Sequence, residues 1–320
     1  MRFSLILLTL FIQSVSFAQQ SPVTKMEKDS LLIISKNPEK GFMNDYLLYI
    51  PKETAIGKKI TLLVEPNNTG LLNDSIEVHR EHAIYLASKS SVGNNVSRML
   101  KIPLLVPVFP RPASQPLTYT HALDRDVMLE NTATLKRVDL QLLNMIKDAK
   151  TVLASFNIEV EPKVFMSGFS ASATFINRFS FIHPEYVKAL AIGGFNGELM
   201  LPMKEINGRQ LNYPLGINDF TTLFKKDHDF NAYKSIPQFI YIGQLDDNDA
   251  VQYDDAYTDK ERNIINEIKG KNVPDRFQYC QKIYLQNNFN VRFKTYETVG
   301  HWTTSAMNIE VIKFFLKQMN

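Results

Sequence analysis

From residue 45 onward the chain alternates short apolar runs with longer amphipathic stretches. Asp45–Ile50 (DYLLYI), Lys59–Val64 (KITLLV), Ile102–Val108, Lys163–Met166, Val187–Ile192, Gln238–Ile242 and Val291–Tyr296 each have the length and apolar density of a strand. Helical spacing is carried by Asp74–Lys89, with Asp74 or Ser75 as cap, by Leu135–Phe156, by Ser170–Phe181 and by Met307–Met319. In Leu135–Phe156 the residues Val138, Leu142, Ile146 and Ala149 recur at intervals of three and four. Apolar strands separated by helices predict an α/β fold with a mostly parallel central sheet and helices on both faces. Phe195–Lys234 breaks the alternation with Asn, Gly and Pro and is predicted to be an insertion or cap over the sheet. The pattern therefore favours one domain over two.

The first eighteen residues follow a different rule. Arg2 supplies positive charge, Leu5–Ile12 is a short apolar run, and Ser16-Phe17-Ala18 places small residues where a signal peptidase reads. This predicts a signal peptide over 1–18, cleavage after Ala18, and one domain over 19–320, exported to a periplasm or to the extracellular space. The apolar run is short for about 30 Å of hydrocarbon, and no later stretch resembles a membrane span.

Composition narrows the chemistry. Among 320 residues there is one cysteine, Cys280, so neither an intrachain disulfide framework nor a cysteine zinc cage is available. In an exported chain it reads as a buried apolar residue. Lys and Arg total 36 and Asp and Glu 33, interspersed, without the basic stripe of a nucleic-acid binder.

The densest chemical signal is Val164–Ala173 (VFMSGFSASA): a strand, a sharp turn, then a helix. Ser170 sits at the turn, with Gly168 two before and Ser172 two after. A nucleophile on such a turn needs small neighbours, because larger ones collide with the adjoining strand or helix. The usual pattern is G-x-S-x-G, and here serine replaces the last glycine. The competing reading is an ordinary strand-to-helix turn with Ser170 as the helix cap.

Two partners follow in the expected order. Asp246 lies just past the Gln238–Ile242 strand and Gly243, with Asp249 as the alternative acid and Asp247 between them. These three acids also admit a solvated loop or a cation site, although no calcium-loop glycine or distal glutamate completes one. His301 follows Gly300 directly before the terminal helix. His121 is the competing histidine. It precedes the serine and reads as a loop residue near the mouth of the site. A developing oxyanion would need two N–H donors. Ala171, directly after the serine, supplies one, and Asn68 or Thr69, in the loop after KITLLV, the other. Phe195, Tyr213, Phe220, Phe224, Phe230 and Tyr233 make the insertion aromatic, either as a cap over an apolar acyl or aryl group or as packing. Arg111 and Arg125 are candidates for a substrate carboxylate, or ordinary surface arginines.

The strand–GFSAS–helix segment, the Gly-x-x-Asp after a later strand, and the Gly-His near the C-terminus together resemble the α/β-hydrolase superfamily, from about Tyr46 to the end. PVFPRP, YTHALDRD and RVDLQLLNMIKDA are similar to segments of secreted esterases related to polyhydroxyalkanoate depolymerases and feruloyl esterases. The resemblance implies hydrolysis of a carboxylic ester, small or polymer-borne, through a Ser-His-Asp triad and an acyl-enzyme, with no metal or organic cofactor. Two other readings stay open: a non-catalytic binding protein on the same fold, and a peptidase.

Overall fold

The computed structural model describes residues 24–319; the expected signal peptide lies outside the described residues. Eight strands form the central sheet: β1 (Ser30–Ile34), β2 (Tyr46–Ile50), β3 (Leu63–Val64), β4 (Leu104–Pro107), β5 (Val164–Phe169), β6 (Val187–Gly193), β7 (Gln238–Gly243) and β8 (Val291–Tyr296). Their order is β1-β2-β4-β3-β5-β6-β7-β8. β2 runs antiparallel to both β1 and β4, and every later pairing is parallel.

Seven helices of eight residues or more cover the described sheet: α1 (Ile76–Ser88), α2 (Val92–Leu100), α3 (Val138–Ser155), α4 (Ala171–Ile182), α5 (Asp259–Ile268), α6 (Val273–Gln286) and α7 (Ser305–Lys317). Strand side chains alternate between the two faces. Phe239 and Tyr241 of β7 share one continuous core with Ala83 and Ala87 of α1, Val92 and Val96 of α2, and Val311 and Phe315 of α7. Ile240 and Ile242 of the same strand join Leu142 and Met145 of α3, Phe175 and Phe179 of α4, and Phe277 and Tyr284 of α6. The sheet is thus buried on both sides, which is why its inner strands read as unbroken apolar runs.

Where the structure departs from the sequence pattern, the causes are local. KITLLV is two pieces. Lys59–Ile60 pairs with Glu159–Val160 outside the main sheet, and only Leu63–Val64 enters it. β1 was missed because its half-buried residues follow a polar stretch at the sheet edge. α5 was missed because its polar sequence buries only Glu261, Ile264 and Ile265. A capping box of Thr258 and Glu261 marks its start. Cys280 is fully buried in α6, where burial pushes its thiol up to about 12. No described helix is long and apolar enough to cross a membrane.

Candidate active site

β5 ends at Phe169 and α4 begins at Ala171, so Ser170 makes the whole turn. Its backbone sits at φ 63° and ψ −132°, a strained conformation for a residue with a side chain. Neighbours hold it there. The Ser170 N–H donates to the Gly193 carbonyl at 3.0 Å, tying the turn to the end of β6. At Gly168, a Cβ would lie 2.9 Å from the Ser172 backbone and 2.8 Å from Ile176, so this glycine is required by close approach. Ser172 does more than stay small. Its hydroxyl donates to the Phe169 carbonyl at 2.8 Å and accepts from the Phe169 N–H at 3.0 Å, clamping the turn from inside. Ser170 makes no cap bond to its own helix. Ser170 thus holds the N-cap position of α4 without capping it through its side chain.

The Ser170 hydroxyl is aimed at His301, with Oγ 3.0 Å from Nε2. On the other side of the ring, Nδ1 lies 3.0 and 3.1 Å from the two carboxylate oxygens of Asp246. The loops that deliver these two residues are fastened together. Gln244 N–H donates to Tyr296 and Leu245 N–H to Val299, both at 2.8 Å. Gly243 allows this approach, since a Cβ there would lie 2.3 Å from the Val299 carbonyl. Asp246 is 2% exposed and also accepts the Asn248 N–H at 3.2 Å. A carboxylate there receives Nδ1–H, so the lone pair of the neutral ring is left on Nε2, facing the serine.

Asp249, the alternative acid, is committed elsewhere. It pairs with the fully buried Arg276 and accepts the Val251 N–H at 3.0 Å. Asp247 is exposed, so the three acids diverge instead of converging on a common ion. His121 is not a loop residue at the mouth. It is fully buried, Nε2 lies 2.8 Å from the Phe109 carbonyl, and burial pushes its pKa down to about 3. It forms part of a brace behind the loop after β3. There Asn67, also fully buried, bonds the Phe109 carbonyl and N–H at 3.0 and 3.1 Å.

No family model and no curated protein matches this sequence. Solved structures do. A poly(aspartic acid) hydrolase-1 from Sphingomonas sp. KT-1 is 14% identical at a TM-score of 0.58, covering 91% of this chain and 98% of that one. A poly(3-hydroxybutyrate) depolymerase from Bordetella parapertussis is 12% identical at 0.52, covering 92% and 90%. An S-formylglutathione hydrolase from Agrobacterium tumefaciens is 10% identical at 0.52, covering 95% and 99%. The fold is that of the α/β-hydrolases.

On this α/β-hydrolase scaffold Ser170 and His301 open onto a cleft of about 710 Å³, with Asp246 buried behind the ring. Asn68, Thr69 and Ala171 line it beside Ser170. Ala171 opens α4, and first-turn N–H groups have no partner within their own helix. The N–H groups of Asn68 and Thr69 make no hydrogen bond among the described residues. The Asn68 side chain spans to the Phe169 carbonyl at 3.5 Å, holding the two halves of this donor pair together.

The far wall bears on the two readings left open for the insertion aromatics. Of the six insertion aromatics, only Phe195 lines the cleft. Tyr213 donates its hydroxyl to the Leu123 carbonyl, and the Tyr233 ring packs at a tilt against Phe181 of α4, so these two pack the insertion against the flank of the sheet. The wall is made instead by the segment after the acid, through Asn248, Tyr253, Asp255 and Tyr257. Arg125 turns away and pairs with Asp219 at 2.6 Å. Arg111 does face the cleft, paired with Asp255 and lying 3.7 Å over the Tyr119 ring. Sequence reasoning passed over Asn67, Asn248, Tyr257 and Arg178. None belongs to a recognisable motif, and the first is visible only as an asparagine in a turn.

Proposed function

We propose that the protein is an exported serine hydrolase that cleaves a carboxylic ester through an acyl-enzyme. The observation that carries this reading is the unbroken polar chain from Asp246 through His301 to Ser170. It is set just past the ends of three parallel strands, β5, β7 and β8, with the serine in a strained turn.

In the proposed cycle Ser170 Oγ attacks the substrate carbonyl while Nε2 of His301 takes its proton. Asp246 holds the ring in the tautomer that can accept it and stabilises the cation that forms. The oxyanion rests against the N–H groups of Ala171 and of Asn68 or Thr69. His301 then returns the proton to the leaving alcohol. Water, deprotonated by the same nitrogen, releases the acid from Ser170. The first of these proton transfers uses a contact already within hydrogen-bond reach, Ser170 Oγ to Nε2 at 3.0 Å.

Two names among the similar structures set the range to test. Poly(3-hydroxybutyrate) is a polyester, whereas poly(aspartic acid) is joined by amides. The decisive experiment is fluorophosphonate labelling with parallel turnover of p-nitrophenyl acetate and of an aminoacyl anilide. Labelling at Ser170 and ester turnover that both vanish in Ser170→Ala carry the proposal. Unlabelled, folded protein whose turnover survives Ser170→Ala overturns it, and faster anilide than ester cleavage marks a peptidase. Export is tested by N-terminal sequencing of the protein recovered outside the cytoplasm, where Gln19 is the expected first residue.

A further inference from the structure

Arg178 stands on the same helix as the candidate nucleophile. Ala171, Thr174 and Arg178 recur at intervals of three and four, and all three line the cleft. Eight residues separate Arg178 from Ser170, about 12 Å along the axis, and helical side chains tilt back toward the N-terminus. The guanidinium is thereby carried back along the cleft wall toward Ser170. It donates at 3.0 Å to the Ala122 carbonyl and at 3.0 Å to the Tyr257 hydroxyl, both from residues of the same wall.

What sets Arg178 apart is that no described carboxylate touches it, Asp124 and Glu261 acting on it only from beyond ion-pair distance. The residue is 2% exposed, yet no carboxylate pairs with it among the described residues. The acids around the cleft are engaged elsewhere: Asp255 with Arg111, Asp249 with Arg276, Glu198 with Lys269. Asp124 caps the turn at 125–129 by accepting the N–H groups of Val127 and Tyr119. A guanidinium carries five N–H donors, and here only two have protein partners, both neutral oxygens. A second orphan lies in the same wall, since Nε of Arg111 is buried without a partner. Burying an unpaired charge is costly unless something completes it, and the planar guanidinium fork matches a carboxylate.

We propose that Arg178 binds a carboxylate of the substrate, so that the preferred ester bears an acidic group on its acyl side: the hemiester of a dicarboxylic acid, or an acidic repeat of a polymer. This rests on the hydrolase reading and deepens it. Arg178 acts here as a specificity residue, because the carboxylate it holds orients the acyl chain across the cleft with the scissile carbonyl at Ser170.

The test pairs monoethyl succinate, glutarate and adipate with their neutral amide isosteres, such as ethyl glutaramate, at equal ionic strength. The expected result is a kcat/KM ratio of about tenfold or more in favour of at least one acid, as a charge-assisted contact predicts. The ratio should fall to about one in Arg178→Met, through KM, and recover in part in Arg178→Lys. A ratio at or below one throughout the panel in wild-type enzyme that still turns over p-nitrophenyl acetate overturns the proposal, and so does a ratio that survives Arg178→Met. Should Arg178→Met not fold, calorimetric titration of the wild type with glutarate against glutaramide decides, and equal or absent binding of the two overturns it. That titration reads the carboxylate site even if no ester is cleaved, whereas failure of Ser170 labelling and of all turnover sinks the hydrolase reading alone.

Discussion

Asn248 Nδ2 lies 2.8 Å from Nε2 of His301, the same nitrogen that Ser170 Oγ approaches at 3.0 Å. With Nδ1–H given to Asp246, that nitrogen has one lone pair, and two donors converge on it. The amide N–H therefore competes with the serine hydroxyl for the site that must receive the serine proton. Asn248→Ala should raise the rate of Ser170 labelling by a fluorophosphonate severalfold, within the roughly tenfold that one hydrogen bond of about 1.4 kcal/mol permits. Stopped-time labelling checks this, and a slower rate would mean that Asn248 assists the ring.

The two candidate acids separate cleanly by what they hold. Asp246→Asn should lower kcat by about 10⁴, because the ring loses the acceptor that fixes its tautomer. Asp249→Asn should leave kcat within a few-fold. It should instead destabilise the fold by roughly 3 kcal/mol, since it strips the charge partner from the buried Arg276. Steady-state kinetics beside urea unfolding distinguishes the pair, and an inversion of the two outcomes would reassign the acid.

At the turn, Gly168 and Ser172 make opposite demands. Gly168→Ala forces a Cβ against the Ser172 backbone and Ile176, an overpacking of about 1–3 kcal/mol, and displaces Ser170 with it. Ser172→Ala removes both hydroxyl bonds to Phe169 and should cost about 1 kcal/mol with a smaller loss of kcat. Thermal unfolding of both variants checks the order.

Glu65 directly follows β3 and is buried, accepting the Gly93 N–H at 3.0 Å and the Ser91 hydroxyl. Burial pushes its carboxyl up to about 8, against those two bonds. A folded-state value above the unfolded one means its contribution to stability is complete below about 4.5 and is lost as pH rises through about 8. Glu65 should therefore contribute a fall in stability between pH 5 and 8, by up to about 1.4 kcal/mol per unit for this one proton. Glu65→Gln should flatten that slope. What remains combines Asp124, which burial likewise raises, to about 7, with His121 and His228, which burial lowers to about 3 and about 4 and which act with the opposite sign below about 6.5. Melting curves at pH 5, 6.5 and 8 test the sign, and an unchanged slope in Glu65→Gln would exclude Glu65 as its source.

The alternation of strands and helices, the turn at Ser170 and the order Ser170, Asp246, His301 were all legible in the chain. Each is a local property: apolar runs, glycine beside a required close approach, a polar residue just past a strand end. Such signals survive without knowledge of neighbours.

Other features needed the third dimension. Asp246 and Asp249 are indistinguishable in sequence, and only the position of Arg276, on a later helix, commits one of them elsewhere. The insertion aromatics read equally as cap or packing until the flank of α4 is there to receive Tyr233. His121, Asn67 and Arg178 carry no motif, because burial and pairing come from residues far away in sequence. Apolar patterning along the chain places most strands and helices, though not β1, α2, α5 or α6, and offers the groups proposed to react. Tertiary structure decided which charges find partners, and so which one, Arg178, stands unpaired at the cleft. Secondary structure follows from neighbours a few residues apart, whereas desolvation and ion pairing depend on what the fold brings together.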